Sequence, residues 1–212
     1  MEILKVGHSC VVVSEGVTQI VVDPGAFTVA EGVGALENIT AVVYTHKHAD
    51  HLEESRLSVL KANNPDLLVF ANEETGEVLN QLSVAWQPLP TNGEFEIGEL
   101  TIHCYEVDHH PIYKDVPVVK NTALLFNESF LHPGDALFVP PKPVKVLGMP
   151  FGPFASIGEC LEYGNEVQPE MIIPLHDGYI TGPNPYTSIP ATFWPESGIN
   201  YHLLGNGEVL EI

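Results

Sequence analysis

Three histidines and one aspartate lie within the short stretch 45-THKHADH-51, directly after an apolar run that predicts a strand. Alternate residues of an extended segment face the same way, so the rings of His46 and His48 can reach one point. Asp50 and His51 lie where the chain turns into the next predicted helix, and can bind a second point close by. Imidazole and carboxylate suit zinc, and also manganese or iron. The stretch therefore predicts a metal site.

Asp50 also fits a purely structural role. In 50-DHLE-53, Asp50 would be the N-cap of the following helix and Glu53 the partner residue of a capping box. The two roles conflict for a single carboxylate. Four ligand-type residues in one short loop favour the metal.

Ligand-type side chains also follow three later predicted strands, in 109-HH-110, 132-HPGD-135 and 176-HDG-178. Gly134 would allow a close approach of the backbone. A single histidine at a strand end is usually a hydrogen-bonded surface residue. Because the placement is repeated, we expect these side chains to converge with 45–51 on one edge of the sheets.

Short apolar runs between turn residues predict an α/β protein. The predicted strands are Ile3–Val6, Cys10–Val13, Val17–Val22, Ala41–Tyr44, Leu67–Ala71, Glu94–Ile97, Leu100–Val107, Thr122–Phe126, Phe130–His132, Val144–Leu147 and Met171–Leu175. The predicted helices are Glu53–Ala62, Glu73–Leu82 and Ala155–Glu166. Strand-rich blocks separated by single helices indicate a layered domain, and without a recognisable linker we expect residues 1–212 to form one domain.

The charge balance restricts the partners. The chain has 8 Lys and Arg against 28 Asp and Glu, a formal net charge of −20, and no basic run. Binding to nucleic-acid phosphates or anionic lipid heads depends on clustered Lys and Arg, so we expect neither nucleic acid nor a membrane as partner. A small-molecule substrate is the expectation, and a homo-oligomer stays open.

Cysteine usage and the apolar segments favour the cytoplasm. Cys10, Cys104 and Cys160 are odd in number, widely separated and lack a CxxC pattern, so we expect reduced, buried thiols. The segment MEILKVGHSC has no basic region leading into a long apolar stretch, and no signal peptide is expected. The longest apolar runs are strand-sized and too short to span a bilayer.

The order of these motifs resembles that of the metallo-β-lactamase-fold hydrolase superfamily. The signature is T-H-x-H-x-D-H, then a histidine, a Gly-Asp pair and a histidine at the end of a late strand, and it extends from Asp23 to His176. The resemblance implies a four-layer αβ/βα sandwich. Within the superfamily, the residues from 115-DVP-117 through Asn121 and 132-HPGDA-136 to Pro150 are similar to the ascorbate-6-phosphate lactonase-like group.

Carried over residue by residue, the resemblance implies a binuclear metal site. The first ion would be bound by His46, His48 and His109, and the second by Asp50, His51 and His176, with Asp135 bridging both. His109 is preferred to His110 because of its spacing to 115-DVP-117, which leaves His110 a supporting role.

Three further polar residues are candidates for the surroundings of the site. Asp23 would orient a ligand imidazole, with a turn before Pro24 as the competing role. His8 would contact substrate or support a ligand. His132 would make a hydrogen bond at the site edge.

The chemistry expected of such a site is hydrolysis. Two divalent ions about 3.5–4 Å apart, most simply zinc with manganese or iron as alternatives, would generate hydroxide from a water whose pKa falls to roughly 7. Asp50 would orient that water and pass its proton to the leaving group of a small organic ester, lactone or phosphoester. A di-iron oxidoreductase on the same fold and a non-catalytic metal-binding protein are the alternatives. No GxSxG, P-loop or Rossmann pattern is present, and Cys10 beside His8 is more simply a buried thiol.

Two long segments that the sequence predicts as irregular, Pro24–Asn38 and Tyr179–Trp194, would surround the site. The second contains Tyr179, Tyr186, Phe193 and Trp194, and Gly152–Phe154 adds aromatic surface. We expect a partly apolar rim for substrate, with ordinary packing as an equal alternative.

Overall fold

Apolar runs of the sequence form two sheets in the computed structural model, which describes residues 1–179 and 184–212. In chain order the strands are β1 (Glu2–Gly7), β2 (Cys10–Glu15), β3 (Thr18–Val22), β4 (Ala41–Tyr44), β5 (Leu68–Ala71), β6 (Gln87–Pro88), β7 (Gly93–Ile97), β8 (Leu100–Asp108), β9 (Lys120–Phe126), β10 (Phe130–His132), β11 (Val146–Pro150), β12 (Met171–Leu175), β13 (Asn200–Tyr201) and β14 (Val209–Glu211). Each strand predicted from the sequence is present, with its ends shifted by a few residues at most.

Five helices connect these strands in the described part of the chain. They are α1 (Ala30–Gly34), α2 (Glu54–Asn63), α3 (Glu73–Gln81), α4 (Ile157–Val167) and α5 (Pro185–Phe193), and a 3-10 turn at Trp194–Ser197 follows the last. The three predicted helices correspond to α2, α3 and α4. Within residues 1–179 and 184–212, no helix combines the length and the apolar composition needed to cross a membrane.

Both sheets mix antiparallel and parallel pairs. The first has the order β14-β1-β2-β3-β4-β5-β6, with parallel pairing from β3 onwards. The second has the order β13-β12-β11-β10-β9-β8-β7. β8 and β10 both run antiparallel to β9, and β12 is parallel to β10 through β11. The carboxyl ends of β8, β10 and β12 therefore reach the same end of the sheet.

Alternating strand positions build three apolar layers. Val43 points between the two sheets, whereas its neighbour Val42 points outward and packs in a cluster with Leu60 of α2. On the second sheet, Leu125 points outward into a cluster that contains Trp194. Helices thus cover the outer face of each sheet, which confirms the expected four-layer αβ/βα sandwich.

The two segments predicted as irregular contain helices, so that prediction is wrong. α1 lies within Pro24–Asn38 and α5 within Tyr179–Trp194. Residues 180–183 of the second segment lie outside the described residues. Pro185 begins α5, where a missing N–H leaves no hydrogen bond unmade, and Pro190 lies inside it. These prolines made a helix look like a loop.

The alternative role of Asp50, as the N-cap of a capping box at the start of α2, is not the one observed. Glu53 is the N-cap, and its carboxylate accepts hydrogen bonds from the backbone N–H groups of Ser55 at 2.6 Å and Arg56 at 3.2 Å. Asp50 lies outside this cap, and its side chain contacts histidines instead.

Trp194, for which the sequence left an apolar rim and ordinary packing as equal alternatives, is fully buried and packs against Phe151 and Tyr201. Trp194→Ala should therefore lower the free energy of unfolding by about 3–5 kcal/mol, measured by urea denaturation. Phe193, with 52% of its surface exposed, is the matched control. Phe193→Ala should change the free energy by at most about 0.5 kcal/mol, and equal losses for the two variants would contradict this placement.

Candidate metal centre

Two groups of ligand-type side chains lie at the carboxyl ends of the strands. The ligand atoms lie within 4.8 Å of one another in each group, the first consisting of His46, His48, His109 and Asp135 and the second of His8, Asp50, His51 and His176. The structure thus brings all seven side chains that the sequence assigned as ligands into one place. Together they form two candidate metal-binding clusters.

Asp135 lies between the two groups. Its Oδ2 atom is 3.3 Å from His109 Nε2 in the first group and 3.0 Å from His176 Nε2 in the second. Its Oδ1 atom is 3.2 Å from His51 Nε2. The main chain of Asp135 is fixed by Asn121, whose Oδ1 accepts the Asp135 N–H at 3.1 Å. The carboxylate therefore contacts rings of both groups.

The Asp23 side chain contacts two residues of the loop after β4, Thr45 and His51. Its buried carboxylate accepts hydrogen bonds from the backbone N–H of Thr45 at 2.8 Å and from the Thr45 hydroxyl at 2.6 Å. The same carboxylate lies 2.7 Å from His51 Nδ1. With the Nδ1 proton donated to Asp23, the lone pair of His51 Nε2 points into the centre.

Three other rings are oriented in the same way. The Nδ1 atom of His109 lies 2.5 Å from the His110 carbonyl oxygen, and that of His176 lies 3.2 Å from the Phe151 carbonyl oxygen. The Thr45 hydroxyl, which donates to Asp23, is 3.0 Å from His46 Nδ1 and can accept its proton. In each ring the Nε2 atom is thus left as the acceptor that a metal ion needs.

His48 completes the first group through its other nitrogen. Its Nδ1 atom lies 3.1 Å from His46 Nε2. Two nitrogen lone pairs at this distance repel each other unless a proton or a cation lies between them. The contact between His46 and His48 therefore also favours a positive charge in the centre.

His8 differs from the other rings of the second group. Its Nδ1 atom accepts the backbone N–H of Gly178 at 3.0 Å, so the neutral ring carries its proton on Nε2. That Nε2 atom lies 3.4 Å from Asp50 Oδ2 and donates to it. His8 thus supports the Asp50 carboxylate and has no lone pair to offer a metal from this position.

Asp50 receives a second hydrogen bond that the sequence did not predict. The hydroxyl of Tyr179 donates to Asp50 Oδ2 at 2.8 Å, and His176 Nε2 is 3.2 Å from the same oxygen. No sequence motif identifies a tyrosine three residues after a strand-end histidine. The only sequence signal for Tyr179 was its position near the turn that contains His176.

His110 and His132 belong to neither group. The ring of His110 lies against Phe154 and 3.7 Å from Glu159, while its backbone N–H donates to the Asp135 carbonyl oxygen at 2.7 Å. His132 is buried, and its Nε2 atom donates to the Ser9 carbonyl oxygen at 2.8 Å. Both residues support the backbone around the centre.

Glycines permit two of the closest approaches at the site. A Cβ atom on Gly25 would lie 1.8 Å from the Asp50 carbonyl oxygen. One on Gly152 would lie 2.7 Å from His176 Nδ1. Larger residues would push the loop after β4 or the His176 ring away from the centre.

The electrostatics of the centre favour positive charge. Burial alone would raise the pKa of Asp135, but the His51 and His176 rings hold it well below its usual value. Burial lowers the pKa of His176, yet the adjacent Asp135 carboxylate outweighs this and raises it to about 9. The pKa of His51 is raised well above its ordinary value by Asp135 and Asp23, also against the effect of burial. Buried carboxylates therefore attract a cation to this place.

Three buried polar atoms of the centre make no hydrogen bond in the described part of the chain: His51 Nε2, His176 Nε2 and Asp135 Oδ1. All three face the same space between the two groups. Their types, two imidazole nitrogens and a carboxylate oxygen, fit a divalent metal ion.

Comparison with known proteins agrees with this fold. A family model for the beta-lactamase superfamily domain matches residues 2–176. The chain belongs to this family. Protein Rv0786c of Mycobacterium tuberculosis is 32% identical over 186 residues, which is 85% of either chain. A UPF0173 metal-dependent hydrolase of Thermus thermophilus is 28% identical over 231 residues, with 100% of this chain and 99% of the relative covered.

One solved structure has a similar fold over the full length of this chain. Igni18, a metallo hydrolase from Ignicoccus hospitalis, matches with a TM-score of 0.75 at 18% identity and covers 100% of this chain and 98% of its own. At this identity, the likeness concerns the fold alone.

Replacing Asp23 by asparagine tests whether its carboxylate orients His51. In Asp23→Asn the amide N–H group would face His51 Nδ1 and force the ring proton onto Nε2, with little change in packing. We expect metal affinity to fall by about 10- to 100-fold, measured by competition with a chromophoric chelator. Asp66→Asn, at an exposed turn, is the control and should bind metal like the unaltered protein. Unchanged affinity in Asp23→Asn would show that Asp23 does not set the orientation of a ligand.

Proposed function

We propose that this protein is a metal-dependent hydrolase that cleaves a small organic ester, lactone or phosphoester at a binuclear centre. One ion would be held by His46, His48 and His109, the other by Asp50, His51 and His176, with Asp135 shared by both. The observation that carries this proposal is the set of buried ligand atoms on His51, His176 and Asp135, which converge but make no hydrogen bond among the described residues. They face a common space, and imidazole and carboxylate are the donors that such ions take.

In the proposed reaction, the metal ions would activate water and residues of the chain would orient it and transfer its proton. Two divalent ions bound there would supply a nucleophile at neutral pH by lowering the pKa of water to roughly 7, and would polarise the scissile bond. Asp50 would orient the attacking water and carry its proton to the leaving group. The hydrogen bonds from Tyr179 and His8 to Asp50 Oδ2 hold the carboxylate in one orientation for this task.

Cysteine chemistry finds no support at this site. Burial raises the pKa of the Cys10 thiol, and the nearby Asp23 carboxylate raises it further. A thiol that resists ionisation is a poor nucleophile. Cys10 therefore belongs to the packing of the first sheet.

We propose zinc as the native metal because imidazole provides five of the seven proposed ligands. Manganese and iron accept similar donors, so elemental analysis of protein purified without added metal is the deciding measurement. Iron in the protein together with consumption of dioxygen would replace the hydrolase by a di-iron oxidoreductase. Bound metal without turnover of any ester, lactone or phosphoester would leave a non-catalytic metal-binding protein.

The setting and the substrate group are also part of the proposal. A formal net charge of −20 supports a small-molecule substrate rather than nucleic acid or a membrane surface, and we propose action in the cytoplasm. The narrower resemblance of 132-HPGDA-136 and its surroundings to the ascorbate-6-phosphate lactonase-like group makes lactones the first substrates to test.

Adjacent histidines provide a matched test of the metal centre. His109→Ala should lower the bound metal from two equivalents to about one and reduce kcat by at least about 100-fold, because it removes a ligand whose Nε2 atom faces Asp135. His110→Ala should keep both ions, since the His110 ring lies against Phe154 outside the two groups. Metal is measured by elemental analysis and turnover with a lactone panel. Full metal content in His109→Ala would refute the ligand assignment.

A further inference from the structure

An apolar cavity lies beside the metal centre. Its volume is about 310 Å³, and it is lined by Phe151, Gly152, Pro153, Tyr179 and Tyr186. Three of these residues are aromatic, and none of the five carries a charge. The Phe151 and Tyr186 rings lie edge to face, with their centroids 5.7 Å apart. Such a lining suits an uncharged apolar group.

This cavity adjoins the cleft above the metal centre. The cleft, of about 330 Å³, is lined by Asp50, Asp135 and other residues of the two groups, and it shares Pro153 and Tyr179 with the apolar cavity. Tyr179 donates its hydroxyl proton to Asp50 on one side, while its ring forms a wall of the cavity. A substrate can therefore place its scissile bond in the cleft and an attached side group in the cavity.

The volume of the cavity is sufficient for a small apolar side group. An enclosed apolar cavity of about 150 Å³ holds benzene. At about 310 Å³, the cavity here has room for a phenyl ring with a short linker or for a short alkyl chain.

The distribution of cationic residues argues against an anionic substrate. None of the Lys and Arg residues lines either the cleft or the apolar cavity in the described part of the chain. Lys5 and Lys47 are paired with Asp177 and Glu74, each at 2.6 Å. Among the described residues, a phosphate group would thus depend on the proposed metal ions alone for positive charge, and the net charge of −20 disfavours its approach.

We infer that the substrate is an uncharged carboxylic ester or lactone whose aryl or short alkyl group lies in the cavity formed by Phe151, Gly152, Pro153, Tyr179 and Tyr186. This inference rests on the proposed hydrolase function and narrows it. In the reaction, the oxygen of water bonds to the carbonyl carbon, the acyl C–O bond breaks, and the alcohol leaves with the proton carried by Asp50. The products are a carboxylic acid and an alcohol from an ester, and a single hydroxy acid from a lactone.

Three esters test the apolar cavity. Ethyl acetate lacks a phenyl ring, benzyl acetate carries one on the alcohol side, and ethyl phenylacetate carries one on the acyl side. With hydrolysis followed in a pH-stat, at least one phenyl ester should exceed ethyl acetate in kcat/KM by about tenfold or more. Benzyl phosphate should be cleaved at least about tenfold less efficiently than the better phenyl ester.

Variants of Tyr186 connect this preference to the cavity. Tyr186→Phe keeps the ring and should keep the preference for the phenyl ester. Tyr186→Glu places a carboxylate in the cavity and should reduce the ratio of kcat/KM values to near one. Phe193→Ala, an exposed position of the same helix that lines neither cavity, is the control and should leave the ratio unchanged. Metal content of each variant is measured alongside.

A direct binding measurement tests the assignment of the apolar cavity separately from the hydrolase function. Calorimetric titration with benzyl alcohol should detect binding to the metal-loaded protein, weakened at least about tenfold in Tyr186→Glu. Metal-dependent hydrolysis with no phenyl preference, or faster cleavage of benzyl phosphate, would overturn the substrate assignment and leave the hydrolase. No hydrolysis of any ester, lactone or phosphoester would overturn the hydrolase, and absence of benzyl alcohol binding would overturn the cavity assignment by itself.

Discussion

The centre exists only while the two sheets keep a fixed position relative to each other, because its side chains come from both. Apolar packing between the sheets is non-directional and cannot set this position by itself. Hydrogen bonds across the sheets help to do so at the site, among them Thr122 N–H to the Thr45 carbonyl at 2.9 Å, His176 N–H to the His8 carbonyl at 3.2 Å, and His132 Nε2 to the Ser9 carbonyl at 2.8 Å. Each involves a residue of the centre or one directly beside it, so sheet packing and site geometry depend on the same bonds.

A partly buried ion pair joins the two sheets at the same place. Lys5 of β1 is 1% exposed, and its ammonium group donates to the Pro174 carbonyl at 2.8 Å and to Asp177 at 2.6 Å. Burial lowers the pKa of Lys5, and the Asp177 carboxylate opposes that effect. Pairs of this kind add little net stability, whereas loss of one partner leaves a costly unpaired charge. Because its two contacts flank His176, the Lys5 ammonium ties the first sheet to the turn that presents this ring.

Much of the fold followed from the sequence because strand periodicity and strand-end histidines are local signals. The position of His46 and His48 at the end of β4, and the convergence with Asp135 and His176, needed only that carboxyl ends of strands meet. The helices in the two segments predicted as irregular did not follow, since the prolines of α5 hide a helix that tertiary packing of Trp194 supports. The bond from Tyr179 to Asp50 joins residues 129 positions apart and has no local signature.

The orientation of the rings links the folding of this chain to its metal. His46, His51, His109 and His176 each have Nδ1 next to an acceptor of the protein, so folding itself turns each Nε2 lone pair inward. The inward nitrogens and the Asp135 carboxylate together favour a bound cation. A cation that binds only the folded state stabilises the fold by linkage. His8 shows the contrast: its Nδ1 accepts from Gly178, its proton points inward, and it can steady the Asp50 carboxylate without competing with that carboxylate for metal.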